Sequence, residues 1–174
     1  MTNADVHSKD IGTTATIITQ QELLEHWQGH RWLTRRVIEA FPEDKLFTYA
    51  IGGMRPFAAM AMEFIGMAEP GIVGVLTGQW KKVDELPHHS KIAGPQTKKE
   101  LLQRWDEVTE QINRLWPQVP PKRFLEKDIA FGQWEGPVYG FIQYWIDNEI
   151  HHRGQGYVYL RSLGIEPPPF WERG

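Results

Sequence analysis

The chain contains no cysteine. This excludes a disulfide framework, a thiolate zinc site and a cysteine nucleophile, and it is compatible with a cytoplasmic location. Long basic runs are also missing. Lys and Arg number 19 against 22 Asp and Glu, for a net charge of −3. A nucleic-acid binder needs a basic patch to neutralise phosphates, so no nucleic-acid partner is expected. No apolar run approaches the roughly 18 residues that span a bilayer. The N-terminal MTNADVHSKDIG lacks the basic and apolar regions of a signal peptide. Together these absences predict a soluble, cytoplasmic protein with no membrane partner. No strand-like alternation, internal repeat or low-complexity tract is present either.

The 174 residues are enough for one domain with a sizeable core. Eight Trp supply large rings of the kind that fill cores and pockets. Residues 1–17 carry no helical pattern and read as a flexible arm, leaving 18–174 as the folded domain. Thr19 and Glu22 make a capping box, in which the hydroxyl and the carboxylate each satisfy an orphan amide. Helical spacing then runs to Phe41-Pro42. A second helix is expected over 54–68, stopped by Pro70-Gly71, with a short helix near Ile72–Leu76 inside a long crossover. Thr97 and Glu100 make another capping box for a third helix to Leu115. Residues 117–135 read as a second long connection. Pro137 suits the first turn of a fourth helix, and Gly164 suits its C-terminal cap. The tail IEPPPFWERG cannot continue the helix, but Phe170 and Trp171 can pack back onto the protein. The fold class expected is all-α, a four-helix bundle with long crossovers.

The second helix holds the sharpest anomaly. In PFAAMAMEFIGMA, Glu63 is the only charged residue. A helix apolar on nearly every side should be buried, and a buried carboxylate needs a partner, a proton or a metal. On the fourth helix, Phe141, Trp145, Asn148, His152, Gln155 and Tyr159 fall on one stripe at about 100° per residue. Asn148 and His152 are one turn apart and can reach a common point. Two readings of Glu63 and His152 carry equal weight, a hydrogen-bonded pair closing the core and a functional site. Asn148 reads first as a satisfied core amide. Glu149 and Arg153, also four apart, read as a surface ion pair. His26 and His30 read as half-buried surface groups and, less readily, as a metal half-site. His151 falls on the flank, His88 and His89 are solvated, and Arg55 and Arg161 are solvated or end-capping charges. Met60, Met62 and Met67 are core.

The segments DNEIHHRGQGYVYLRSLGIEPP and MRPFAAMAMEF resemble signatures of the DinB/YfiT-like (damage-inducible DinB-like) family, and helix order and spacing match over most of residues 18–172. The resemblance implies an up-down-down-up four-helix bundle, often a homodimer. It also implies a divalent metal held by three His, one from the second helix and a pair from the fourth. Carried over, the positions are Glu63, Asn148 and His152, so only His152 matches as histidine. Two oxygens and one nitrogen favour harder ions such as Mn, Fe or Mg over tight zinc. The activity implied is transfer of a low-molecular-weight thiol to a small electrophile, or a related hydrolysis. In it a metal ion held by Glu63, Asn148 and His152 would activate the thiol, with Tyr144, Trp145 and Tyr159 lining the mouth. The alternatives are a metal-free acid–base dyad of Glu63 and His152, and a non-catalytic small-molecule binder or dimeric stress-response protein with a structural Glu/His pair.

Overall fold

A computed structural model describes residues 17–87, 89 and 94–174. The expected N-terminal arm therefore lies outside the described residues except for Ile17, which is fully exposed. The fold is all-α in class. Helix α1 spans Gln20–Ala40, α2 is a single turn at Glu43–Leu46, α3 spans Phe57–Thr77, α4 Lys98–Leu115 and α5 Val138–Ser162. Both capping boxes are formed: the Thr19 and Thr97 side chains accept from the amides of Glu22 and Glu100, whose carboxylates reach back. Gly164, at φ 75°, ends α5 as expected, with the Ile165 amide returning to the Leu160 carbonyl.

The four long helices enclose one core. Helix α1 packs on α5 and α4, and α3 packs on α4 and α5. Trp27, Trp105, Trp116, Phe57 and Ile65 are among its fully buried side chains. Gly156 on α5 faces Phe57, where an added Cβ would come within 2.5 Å of the ring. The C-terminal tail returns to α1 and α5 through polar contacts, Arg36 of α1 to Glu172 at 3.1 Å and Tyr157 Oη of α5 donating to the Pro168 carbonyl at 2.7 Å. Phe170 and Trp171, expected to pack back, are instead exposed.

Two further expectations are corrected. Helix α3 does not stop at Pro70-Gly71. It runs on to Thr77 and closes at Gly78, φ 72°, so the separate Ile72–Leu76 helix is its last turns. Pro70 forfeits one backbone hydrogen bond, and complete burial of Ile72 and Val75 offsets that loss. The continuous helix is long and apolar enough to cross a membrane by length and composition, with 67% of its apolar window buried inside the protein. A core helix meets the same criterion.

The second correction is a β-hairpin. Strand β1 (Lys127–Ala130) pairs antiparallel with β2 (Trp134–Pro137), in the register Lys127 opposite Pro137 and Ala130 opposite Trp134. The turn places Phe131 at φ 54° and Gly132 at φ 70°. A left-handed phenylalanine is uncommon. Its ring is buried against Trp80, Trp134 and Trp145, with centroids 5.5–6.2 Å away. Arg123 ties the hairpin to the end of α3. It donates to the Val75 and Gly74 carbonyls and pairs with Asp128, which also accepts from the Trp80 indole at 2.9 Å.

Candidate functional site

The α5 stripe faces inward along most of its length. Phe141, Trp145 and Tyr159 are buried, and Asn148, His152 and Gln155 are half-buried. Helix α3 brings Glu63 to meet it. The Asn148 amide donates to Glu63 Oε1 at 3.1 Å. His152 Nε2 lies 3.6 Å from the same oxygen, with both side chains less than a fifth exposed. The three sequence-predicted residues therefore converge. Gln155 Oε1 sits 3.3 Å from His152 Nδ1, and Phe64 stacks on the imidazole with centroids 6.0 Å apart.

Arg55 completes the cluster and was read from sequence as a solvated charge. Its Nη1 lies 2.6 Å from Glu63 Oε2. It precedes Pro56, which caps α3, so no helical spacing links it to Glu63. Burial alone would raise the Glu63 pKa. The Arg55 hydrogen bond and charge, the Asn148 amide and His152 outweigh it, and the carboxyl sits below its ordinary value. Glu63 is thus held ionised.

Arg55 and Glu63 open onto a cleft of about 960 Å³, which is ample for a small ligand. Met62 and Met67 of α3 form one side. Phe131, Trp134 and Glu135 of the hairpin, with Phe141, Tyr144 and Trp145 of α5, form the others, and His89 also lines it. Tyr159, expected at this mouth, is fully buried, and its hydroxyl donates to the Arg55 carbonyl at 3.0 Å. The hairpin residues were missed from sequence because strands of four residues leave almost no periodic signal. A depression of similar volume on the outer face of α4 is lined almost wholly by charged and amide side chains, such as Arg35 and Asp106, that pair with each other.

Two further readings are overturned. Glu149 and Arg153 are not a surface pair, being 1% and 5% exposed. Glu149 Oε1 accepts from Thr34 Oγ1 at 2.6 Å and lies 3.7 Å from Arg153 Nη1, which also donates to Thr34 Oγ1 at 3.0 Å. His30 is buried rather than superficial. Arg153 Nη2 lies 2.9 Å from its Nδ1 and Arg173 Nη1 lies 3.3 Å from its Nε2. Burial first, then the charges of Arg153 and Arg173 and neighbouring His26, push its pKa down to about 3. With a guanidinium at each ring nitrogen, His30 is no metal half-site.

The donor chemistry at Glu63 also bears on the implied metal. Both carboxylate oxygens are engaged, one by the Asn148 amide nitrogen and one by a full positive charge at 2.6 Å. Asn148 presents its nitrogen, which is no ligand. Only Glu63 and His152 remain as donors, and among the described residues no three His, Cys, Asp or Glu side chains are grouped to hold a metal. The residues present do not fit a three-ligand metal centre.

Comparison with known proteins agrees with the fold and extends it to a family. Two solved structures superpose on the chain, each with a TM-score of 0.68 and 17% identity. One is a DinB-like protein from Bacillus cereus ATCC 10987, with 86% of this chain and 95% of that one covered. The other is the DinB-like protein YjoA from Bacillus subtilis, with 87% and 99% covered. No curated protein matches. A scan against protein families matches the DinB family over residues 12–173, nearly the whole sequence, and the chain belongs to that family.

Proposed function

We propose that this DinB-family chain, a four-helix bundle with long crossovers, binds a small, largely apolar molecule in the cleft and acts on it at Glu63, Asn148 and His152. One observation carries the reading. The Glu63 carboxylate of α3, paired with Arg55 in the lining of an aromatic-walled cleft, has an imidazole 3.6 Å away. A helix that only filled the core would gain nothing from a charge at that position.

The resemblance to relatives that use low-molecular-weight thiols supplies the reaction class. In that chemistry His152 Nε2 takes the proton as the thiol S–H bond breaks. The sulfur lone pair then forms a bond to the electrophilic carbon, and the leaving group departs with the pair it shared. Glu63, 3.6 Å from Nε2, balances the charge of the imidazole while it holds the proton. Hydrolysis follows the same course with water in place of thiol. Metal chemistry at Glu63, Asn148 and His152 enters no step, because the donor set is occupied as described. A homodimer in the cytoplasm is part of the proposal. Trp32 and Val158, 40% and 56% exposed, are apolar surface that a second copy would cover.

The test is thiol-dependent loss of 1-chloro-2,4-dinitrobenzene with the purified protein, alongside His152→Ala and Glu63→Gln. Turnover that requires protein and thiol, and that both variants abolish, supports the reading. Turnover unchanged in both variants refutes the assigned roles. Elemental analysis of protein purified without chelator separates the rival: one equivalent of a divalent ion, lost in Glu63→Gln, would establish the metal centre instead.

A further inference from the structure

The proposed chemistry gives Arg55, which lines the cleft, no contact with the ligand. We infer that Arg55 is an anion-binding group, and that the ligand of the cleft is an amphipathic anion with an apolar, ring-bearing body. The inference rests on the small-molecule reading of the cleft and specifies its ligand.

Three observations lead to it. The first is unused bonding capacity. A guanidinium carries five N–H donors in a fixed fork. Here only Nη1 is engaged, at 2.6 Å from Glu63 Oε2, and among the described residues the side chain meets no other polar partner. Among the described residues the remaining edge meets no partner, and it has the geometry to take two oxygens of a carboxylate or sulfonate side by side.

The second observation is preorganisation. The backbone of Arg55 is fixed on its C-terminal side: the buried Tyr159 hydroxyl donates to its carbonyl at 3.0 Å, and the next residue, Pro56, caps α3. Glu63, which holds the guanidinium, is itself held by Asn148. An oriented cation gives up less freedom on binding than a mobile surface arginine.

The third is the surroundings. Met62, Met67, Phe131, Phe141 and Trp145 give the cleft apolar and aromatic walls, which suit a ring-bearing body but hold no anion. Of the two carboxylates in the lining, Glu63 is already paired with Arg55. Glu135 stands exposed on β2, where water and salt screen it. A cationic head would meet Arg55 unfavourably. An anionic head would complete its fork.

Two fluorescent probes test this on the full chain. N-phenyl-1-naphthylamine and 8-anilinonaphthalene-1-sulfonate share one aromatic body, and only the second carries a sulfonate. The sulfonate is expected to bind about tenfold more tightly, the scale of a hydrogen bond to a charged group. Arg55→Met should erase that preference, and Arg55→Lys should keep part of it. Ala59→Trp, a bulky change in the cleft lining, should weaken both probes together. Equal binding of the two probes, or a sulfonate preference that survives Arg55→Met, overturns the assignment of Arg55 and leaves the cleft standing. If neither probe binds, or if Ala59→Trp changes nothing, the cleft reading falls and takes this inference with it.

Discussion

Two glycines on α5, two residues apart, are expected to respond to the same substitution in opposite directions. A Cβ at Gly154 meets nothing within 4 Å, whereas one at Gly156 lies 2.5 Å from Phe57 Cε2. In a helix interior, Gly→Ala on its own stabilises by up to about 1 kcal/mol. Gly154→Ala should realise most of that. At Gly156 the same gain meets an overlap of about 0.9 Å, the difference between 2.5 Å and the 3.4 Å at which ordinary contact begins. Phe57 cannot retreat. It is fully buried and stacked on Phe41 with centroids 5.0 Å apart and planes within 9°. Overpacking of this kind costs about 1–3 kcal/mol, and the larger figure applies where a ring is trapped. The net expectation for Gly156→Ala is a loss of about 2 kcal/mol. Urea unfolding of both variants beside the parent measures the difference, read at constant slope so that midpoints report stability. Two shifts of the same sign would refute the reasoning, and with it the α3–α5 packing that brings Glu63 to His152.

Glu63→Gln is expected to change stability by less than about 1 kcal/mol, because the carboxylate is partly exposed and its Arg55 partner is half-exposed. A urea midpoint that collapses while no activity or metal is ever found would end the catalytic reading and leave only the fold. His30 sets an acid limit. Its pKa falls from 6.5 when unfolded to about 3 when folded, so the unfolded chain takes up a proton that the native state refuses. Stability should be level above pH 6.5 and fall below it, by up to about 1.4 kcal/mol per unit until pH 3. His30→Asn should flatten that slope, and an equal slope in the variant would count against it. Light scattering at micromolar concentration should give the mass of a dimer, and a monomeric mass would remove the homodimer from the proposal.

Features that depend on neighbouring residues were legible in the sequence, and features set by packing were not. The capping boxes at Thr19 and Thr97 were readable because each closes within four residues. Gly164 was readable because only a left-handed residue suits that cap. The continuation of α3 through Pro70 was not readable. Proline is a local signal to stop, and the signal that overrides it comes from the side chains covering Ile72 and Val75. The hairpin was hidden because four residues of KDIA show no alternation that a loop would not also show. Arg55 was hidden because it enters the site from the loop before α3, where no period connects it to Glu63.

On the fourth helix a one-dimensional pattern finds one inward-facing pair and misses the other. An i, i+4 spacing says that two side chains share a face; it does not say how many faces are inside. Asn148–His152 and Glu149–Arg153 are neighbouring pairs, turned about 100° from one another. The sequence reading granted burial to the first pair and gave the second to solvent, as if α5 had one inner face. Helix α5 packs on α3 and on α1, so it has two. The stripe toward α3 meets Glu63 and borders the cleft. The stripe toward α1 meets Thr34 and His30 and is sealed. Burial raises the Glu149 carboxyl above its ordinary value against the pull of Arg31, Thr34 and Arg153, whereas Arg55, Asn148 and His152 take Glu63 below its own. The sealed carboxylate and the partly exposed one are thus pushed in opposite directions, and the one lowered below its ordinary value lines the cleft.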